Sequence, residues 1–166
     1  VLVTGGFDPI HKGHIEYLRD AKKLGDILYV GLNSDHWLSR KKGKPFMDLE
    51  NRAMVIQSLD MVDEVIIFND EDNSSCHAIH QTLQFYDEVI FANGGDRLLS
   101  NIPEYEKYKN DKRVKFVFNV GGDKTESSSW LLDEWKSPKT LRKWGYYKDL
   151  YKGEGFKVKE LVIEPF

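Results

Sequence analysis

With 166 residues, 40% of them hydrophobic and 31% charged, the chain has room for one globular α/β domain with a real core and a small addition. A formal net charge of −3 argues against bulk attraction to nucleic acid, and a single cysteine, Cys76, excludes a disulfide framework within the chain. No apolar run approaches the length of a membrane span and no signal peptide is visible, so a cytoplasmic protein off the membrane is expected.

Residues 1–4 read as a short strand and residues 13–24 as a helix with Ile15, Leu18 and Ala21 on one face. Between them runs Thr4-Gly5-Gly6-Phe7-Asp8-Pro9-Ile10-His11-Lys12-Gly13-His14. Glycines let a backbone approach a bulky anion, and the N-terminus of a helix supplies N–H groups and the positive end of a dipole. His11 and His14, separated by a small residue, can both point at that spot as hydrogen-bond donors. These are the parts needed to hold a triphosphate. The dinucleotide fingerprint G-x-G-x-x-G is absent because Gly5, Gly6 and Gly13 are wrongly spaced, and the Walker pattern fails because His14 follows Gly13. The plain alternative makes His11 a helix cap and His14 a surface residue; the setting behind a strand and Gly-Gly-Phe-Asp favours the phosphate.

A second strand is expected over 27–32, followed by Asn33-Ser34-Asp35, which is also a helix-capping pattern. The basic run Arg40-Lys41-Lys42-Gly43-Lys44 reads as a loop that either closes over the same phosphates or stays a solvated turn. Residues 39–47 are expected to be mobile until a nucleotide orders them. Next come a helix over 49–59 with Ala53, Ile56 and Leu59 on one face, a strand over 64–68 and a helix over 74–85. His77 and His80 stand at helical spacing without an acidic or cysteine partner, which favours an exposed helix face over a metal pair. A strand over 88–92, a helix over 103–108 and a strand over 114–119 follow. Trp130 and Trp135 read as packing residues rather than a base-stacking box.

Strand–helix alternation with nearly continuous apolar strands implies an α/β fold: a Rossmann-like, parallel five-stranded sheet with helices on both faces. Ligands in such sheets bind at the carboxyl ends of the strands. Composition changes near Ser137-Pro138, so residues 1–136 are read as the main domain and residues 137–166 as a β-hairpin tail.

Gly6-Phe7-Asp8 with His11-Lys12-Gly13-His14 resembles the signature of the cytidylyltransferase-like nucleotidyltransferases. Gly31-Leu32-Asn33-Ser34-Asp35 resembles their second motif. Lys44-Pro45 and Glu50-Asn51-Arg52 resemble their lysine loop and the arginine of the next helix; Asp63-Glu64-Val65 and Gly94-Gly95-Asp96 match in turn. The likeness runs over about residues 1–135 and is strongest to glycerol-3-phosphate cytidylyltransferases and heptose-phosphate adenylyltransferase domains. It implies transfer of a nucleoside monophosphate from CTP or ATP to a phosphorylated sugar or polyol, with pyrophosphate leaving. His11, His14, Lys41 and Lys44 are then the catalytic set. Thr4, Gly5, Gly6, Phe7, Asp8, Gly13, Arg52, Gly95, Asp96, Arg97, Lys124, Ser127, Ser128 and Ser129 are assigned to the nucleotide, with Mg²⁺ arriving on the triphosphate and Asp8 or Asp96 as its candidate supports. The sequence departs from the family at Lys124-Thr125-Glu126-Ser127-Ser128-Ser129, where an arginine-bearing motif is usual; Lys124 and Arg97 are the cations at hand to substitute. The serines present hydroxyls and a helix N-terminus, or simply cap that helix.

The resemblance also implies a homodimer. A catalytically weak nucleotide-binding or regulatory module that assembles through its tail is the alternative from another class. A class I aminoacyl-tRNA synthetase fragment is disfavoured by the short acidic chain and the lack of a Lys-Met-Ser-Lys-Ser-type segment. The tail from Leu141 onward is similar to the opening strands of the cupin domain in mannose-6-phosphate isomerase-type proteins, which implies a chain that continues beyond Phe166 and a sugar phosphate as acceptor.

Overall fold

Four of the five short apolar runs become strands with little change in their bounds, and the second starts two residues late. The computed structural model describes residues 1–123 and 126–164. The strands are β1 (Leu2–Gly5), β2 (Tyr29–Leu32), β3 (Glu64–Ile67), β4 (Val89–Gly94) and β5 (Val114–Val120). All pair in parallel, in the order β3-β2-β1-β4-β5. The chain winds outward from β1 to β3, returns, and continues on the other side with β4. The order therefore reverses between β1 and β4, and the crevice above that reversal is where such sheets bind ligands.

Helices α1 (Lys12–Lys22), α2 (Asp35–Lys42), α3 (Leu49–Gln57), α4 (Cys76–Thr82) and α5 (Pro103–Tyr108) make the crossovers. Alternation along the strands divides the core in two. Val3, Val30 and Leu32 pack with Leu18, Ala21 and Ile56 on one side. Leu2, Val89 and Phe91 pack with Ile79 and Tyr108 on the other. Helices thus cover both faces of the sheet, as the continuous apolar strands required.

One element departs from the sequence reading. Arg40, Lys41 and Lys42 lie in the last turn of α2, not in a loop. The Ser34 hydroxyl caps this helix by accepting from the Trp37 N–H, Asp35 sits in its first turn, and the three cations oppose the negative end of its dipole. Gly43, with φ of 90°, ends it in a conformation that side chains resist.

The chain divides into two compact units, Val1–Glu126 and Ser127–Phe166. The second holds α6 (Ser128–Lys136) and an antiparallel sheet of β6 (Lys139–Arg142), β7 (Gly145–Gly153) and β8 (Phe156–Ile163). The expected hairpin is β7–β8, turning at Gly155; β6 adds a third strand that the sequence pattern did not reveal. Trp130 and Trp135 are exposed, not buried in a core.

Arg52 on α3 is fully buried and binds the strand-end loops together. Its guanidinium donates to the carbonyls of Gly6 (2.9 Å), Asn33 (2.9 Å) and Met47 (3.2 Å), and to the Asp35 carboxylate (2.6 Å). Removing it takes this partner from three carbonyls, while Asp35 keeps the Leu49 N–H and contact with water. Arg52→Met is expected to cost about 2–4 kcal/mol in urea unfolding; a variant as stable as the parent would show that these bonds carry no net stability.

Candidate active site

The loop from Gly5 to His14 rises from the carboxyl end of β1 at the point where strand order reverses. His11 takes the N-cap position of α1 but makes no side-chain capping bond, which leaves its ring for other work. One helical turn on, the His14 ring stacks on that of His11, centroids 3.7 Å apart and planes 23° off parallel. Phe7, buried and held at φ 49°, tilts against His14 at 4.9 Å. Gly13 makes the room: a Cβ there would stand 3.3 Å from the His11 ring. Gly6 is equally constrained, because a Cβ would meet Leu38 at 2.8 Å.

The Nδ1 atoms of both imidazoles are buried without a hydrogen-bond partner among the described residues. His11 Nδ1 faces the Glu126 carboxylate at 3.5 Å, an electrostatic contact rather than a hydrogen bond. Burial lowers the pKa of His11, with Glu126 opposing it. Burial also drives His14 down, to about 3, and the neighbouring His11 and Lys42 push the same way. At neutral pH both rings are therefore neutral, and each has one N–H to give.

The cation beside this pair is Lys42, which sequence reasoning passed over for Lys41 and Lys44. Its ammonium meets the Asp8 carboxylate at 2.8 Å and also donates to the Asp8 carbonyl. Lys41 lies instead over the Trp37 ring at 4.5 Å, and Lys44 is exposed beyond Gly43. Helical phase was the missing signal: once Ser34 and Asp35 are taken as a cap, adjacent residues of the last turn face different directions.

Several assigned residues face inward. The Asp8 carboxylate is buried and accepts from the N–H groups of Phe46 and Met47, each at 2.7 Å, so it latches the loop after α2. Half of segment 39–47 is thus helix, and its far end is tied to Asp8. The Thr4 hydroxyl shares a buried 2.8 Å hydrogen bond with Ser75. Arg52 reaches the site only through the Gly6 carbonyl it holds. Asp70 was missed altogether. It is buried after β3 and accepts from the Asn33 side chain and from the N–H and hydroxyl of Ser34, fixing the second motif from below.

The second wall follows β4. Gly95 adopts φ of 65°, Asp96 is exposed and accepts from Asn101 through its carbonyl, and Arg97 donates to the buried Asn93 at 3.4 Å. Tyr17 ties this wall to α1 through a 2.6 Å bond to the Ala92 carbonyl. Ser127 is the N-cap of α6 without a side-chain capping bond, and Ser128 and Ser129 open that helix in the second unit. Lys124 lies outside the described residues. His77 and His80 are exposed, His77 accepting from the Asn69 N–H. No group of three His, Cys, Asp or Glu suited to a metal occurs among the described residues, and no described helix is long and apolar enough to cross a membrane.

A family model described as cytidylyltransferase-like matches residues 2–158. The chain is similar to the bifunctional protein HldE of Helicobacter pylori strain HPAG1, 48% identical over 118 residues that make up 70% of this chain and 24% of that protein. HldE of Geobacter sulfurreducens is 34% identical over 128 residues, 75% of this chain and 25% of that protein. The chain therefore spans about a quarter of the length of these curated relatives. A crystal structure of the lipopolysaccharide core biosynthesis protein from Thermoplasma volcanium GSS1 superposes with a TM-score of 0.57 at 30% identity, covering 71% of this chain and 93% of that one.

The buried pair makes stability pH-dependent. The folded pKa of His14 lies below its unfolded value, so its contribution is full above pH 6.5 and is lost as the pH falls from there towards 3. Between pH 7 and pH 5 the parent should lose at most about 2 kcal/mol more than His14→Gln in chemical denaturation. Equal losses in the two proteins would show that His14 titrates alike folded and unfolded.

Proposed function

Since the chain belongs to the cytidylyltransferase-like family, we propose that it is a nucleotidyltransferase that moves a nucleoside monophosphate from CTP or ATP to a small phosphorylated sugar or polyol and releases pyrophosphate. The observation that carries this reading is the stacked His11–His14 pair at the head of α1, with Lys42 beside it. The sugar phosphate is favoured by the likeness to HldE and to a lipopolysaccharide core biosynthesis protein.

The attacking phosphate oxygen of the acceptor is already ionised at neutral pH, so the reaction needs no general base. It needs alignment at the α-phosphorus and compensation for the charge that builds there. Imidazoles fixed by stacking present N–H donors without reorganisation, which is where such donors are worth most. Lys42 adds a positive charge at the same spot, and the first-turn amides of α1 add the dipole. Mg²⁺ bound to the triphosphate supplies further neutralisation. Of the two carboxylates named by the sequence as its supports, Asp8 accepts from the loop through both oxygens and Asp96 is exposed. Assembly as a homodimer in the cytoplasm belongs to the same proposal.

The test is a panel of nucleoside triphosphates against sugar and polyol phosphates, read by pyrophosphate release. One pairing should turn over, and His11→Ala and His14→Ala should each cut kcat about a hundredfold or more while circular dichroism stays unchanged. A folded variant with parental turnover would remove that histidine from the transition state. Absence of pyrophosphate with every pairing would leave the binding module in its place.

A further inference from the structure

We propose that Glu126 is a positioning residue that divides the labour of the two histidines. Its carboxylate makes His11 the ring that takes up a proton when a polyphosphate arrives, while His14 works as a neutral donor. This deepens the nucleotidyltransferase reading and rests on it.

The chain is routed so as to bring this carboxylate in. After β5 it turns at Gly121, with φ of 81°, where a Cβ would stand 2.7 Å from the Tyr17 Cα; only glycine lets the segment run against α1. Tyr17 is itself anchored on β4. Glu126 Oε2 lies 3.5 Å from His11 Nδ1, and a Cβ at Gly13 would crowd the His11 ring at 3.3 Å. The His11 side chain is 7% exposed against 38% for Glu126, so the carboxylate keeps its hydration while facing a buried nitrogen.

The two rings meet different neighbours. His11 faces Glu126 and the His14 ring. His14 faces His11, Phe7 and the positive charge of Lys42. Glu126 pushes the affinity of His11 for a proton up against the effect of burial, whereas Lys42 and His11 push that of His14 down, in the same direction as burial. An anion placed at the head of α1 adds to the first contrast. His11 then lies between two negative groups, with Nδ1–H towards Glu126 and Nε2–H towards phosphate, and the extra proton comes from the buffer. The stack tolerates one charge because its partner stays neutral.

The experiment uses the 166-residue chain labelled with ¹⁵N-histidine. Ring ¹⁵N shifts report protonation and tautomer of each imidazole, and inorganic tripolyphosphate, CTP and ATP serve as probes. In the parent, each bound polyphosphate should raise the His11 midpoint and leave His14 neutral at pH 7. Glu126→Gln should lower the His11 midpoint by about one unit and cut the polyphosphate-induced rise, with Glu126→Asp restoring part of both. The pH profile of kcat should move with the His11 midpoint. An unchanged His11 in Glu126→Gln, or protonation of His14 instead, overturns the proposal. The same spectra, with His36, His77 and His80 as reporters, show whether each variant is folded. Intact proton uptake without pyrophosphate release for any pairing would sink the transferase reading alone; failure to bind any polyphosphate would sink both.

Discussion

The buried guanidinium of Arg52 is the constraint on which the geometry of the site depends. It sits on α3, yet its bonds go to the loop after β1 at Gly6, the loop after β2 at Asn33, the start of α2 at Asp35 and the segment before α3 at Met47. A charge taken out of water is tolerated only where a counter-charge and acceptors meet it, and three carbonyls and a carboxylate do so here. The Met47 residue is held from both ends, its carbonyl by Arg52 and its N–H by Asp8. The glycine-rich loop, α2 and the segment after it are thus tied to one another. A stacked imidazole pair needs that rigidity, because sub-ångström drift in the loop would separate its donors.

Much of this fold and the centre of its site were legible in the sequence, because both rest on local signals. Apolar runs of strand length, helices with Ile15, Leu18 and Ala21 on one face, and the Gly5–His14 loop between them announce themselves within a few residues. What escaped depends on distance or phase. Arg52 meets Gly6 46 positions away, and no local pattern records that its guanidinium turns inward. Asp70 reaches Ser34 across 36 positions and belongs to no motif. Lys42 was passed over for Lys41 and Lys44 because the run was read as loop, and only helical phase separates a lysine facing Asp8 from one lying over Trp37. Strand β6 escaped for a third reason: Lys-Thr-Leu-Arg carries a single apolar residue, and its pairing with β7 comes from cross-strand register, not from burial.

The charge balance of the site follows from the same arrangement. A chain of net charge −3 has no long-range field to draw in a triphosphate, and its surface charges are screened within about 8 Å at physiological ionic strength. Capture must rest on short-range, directed groups. The two rings are neutral at physiological pH, and the charge of Lys42 is met by Asp8. Asp8 in turn also accepts from two backbone N–H groups. Lys42 is the counter-charge of that buried carboxylate, so a phosphate is met by the lysine while it stays beside Asp8. Asp8 thus keeps the cation within reach of His14 and holds the loop in place, through one carboxylate that meets an ammonium and two backbone N–H groups.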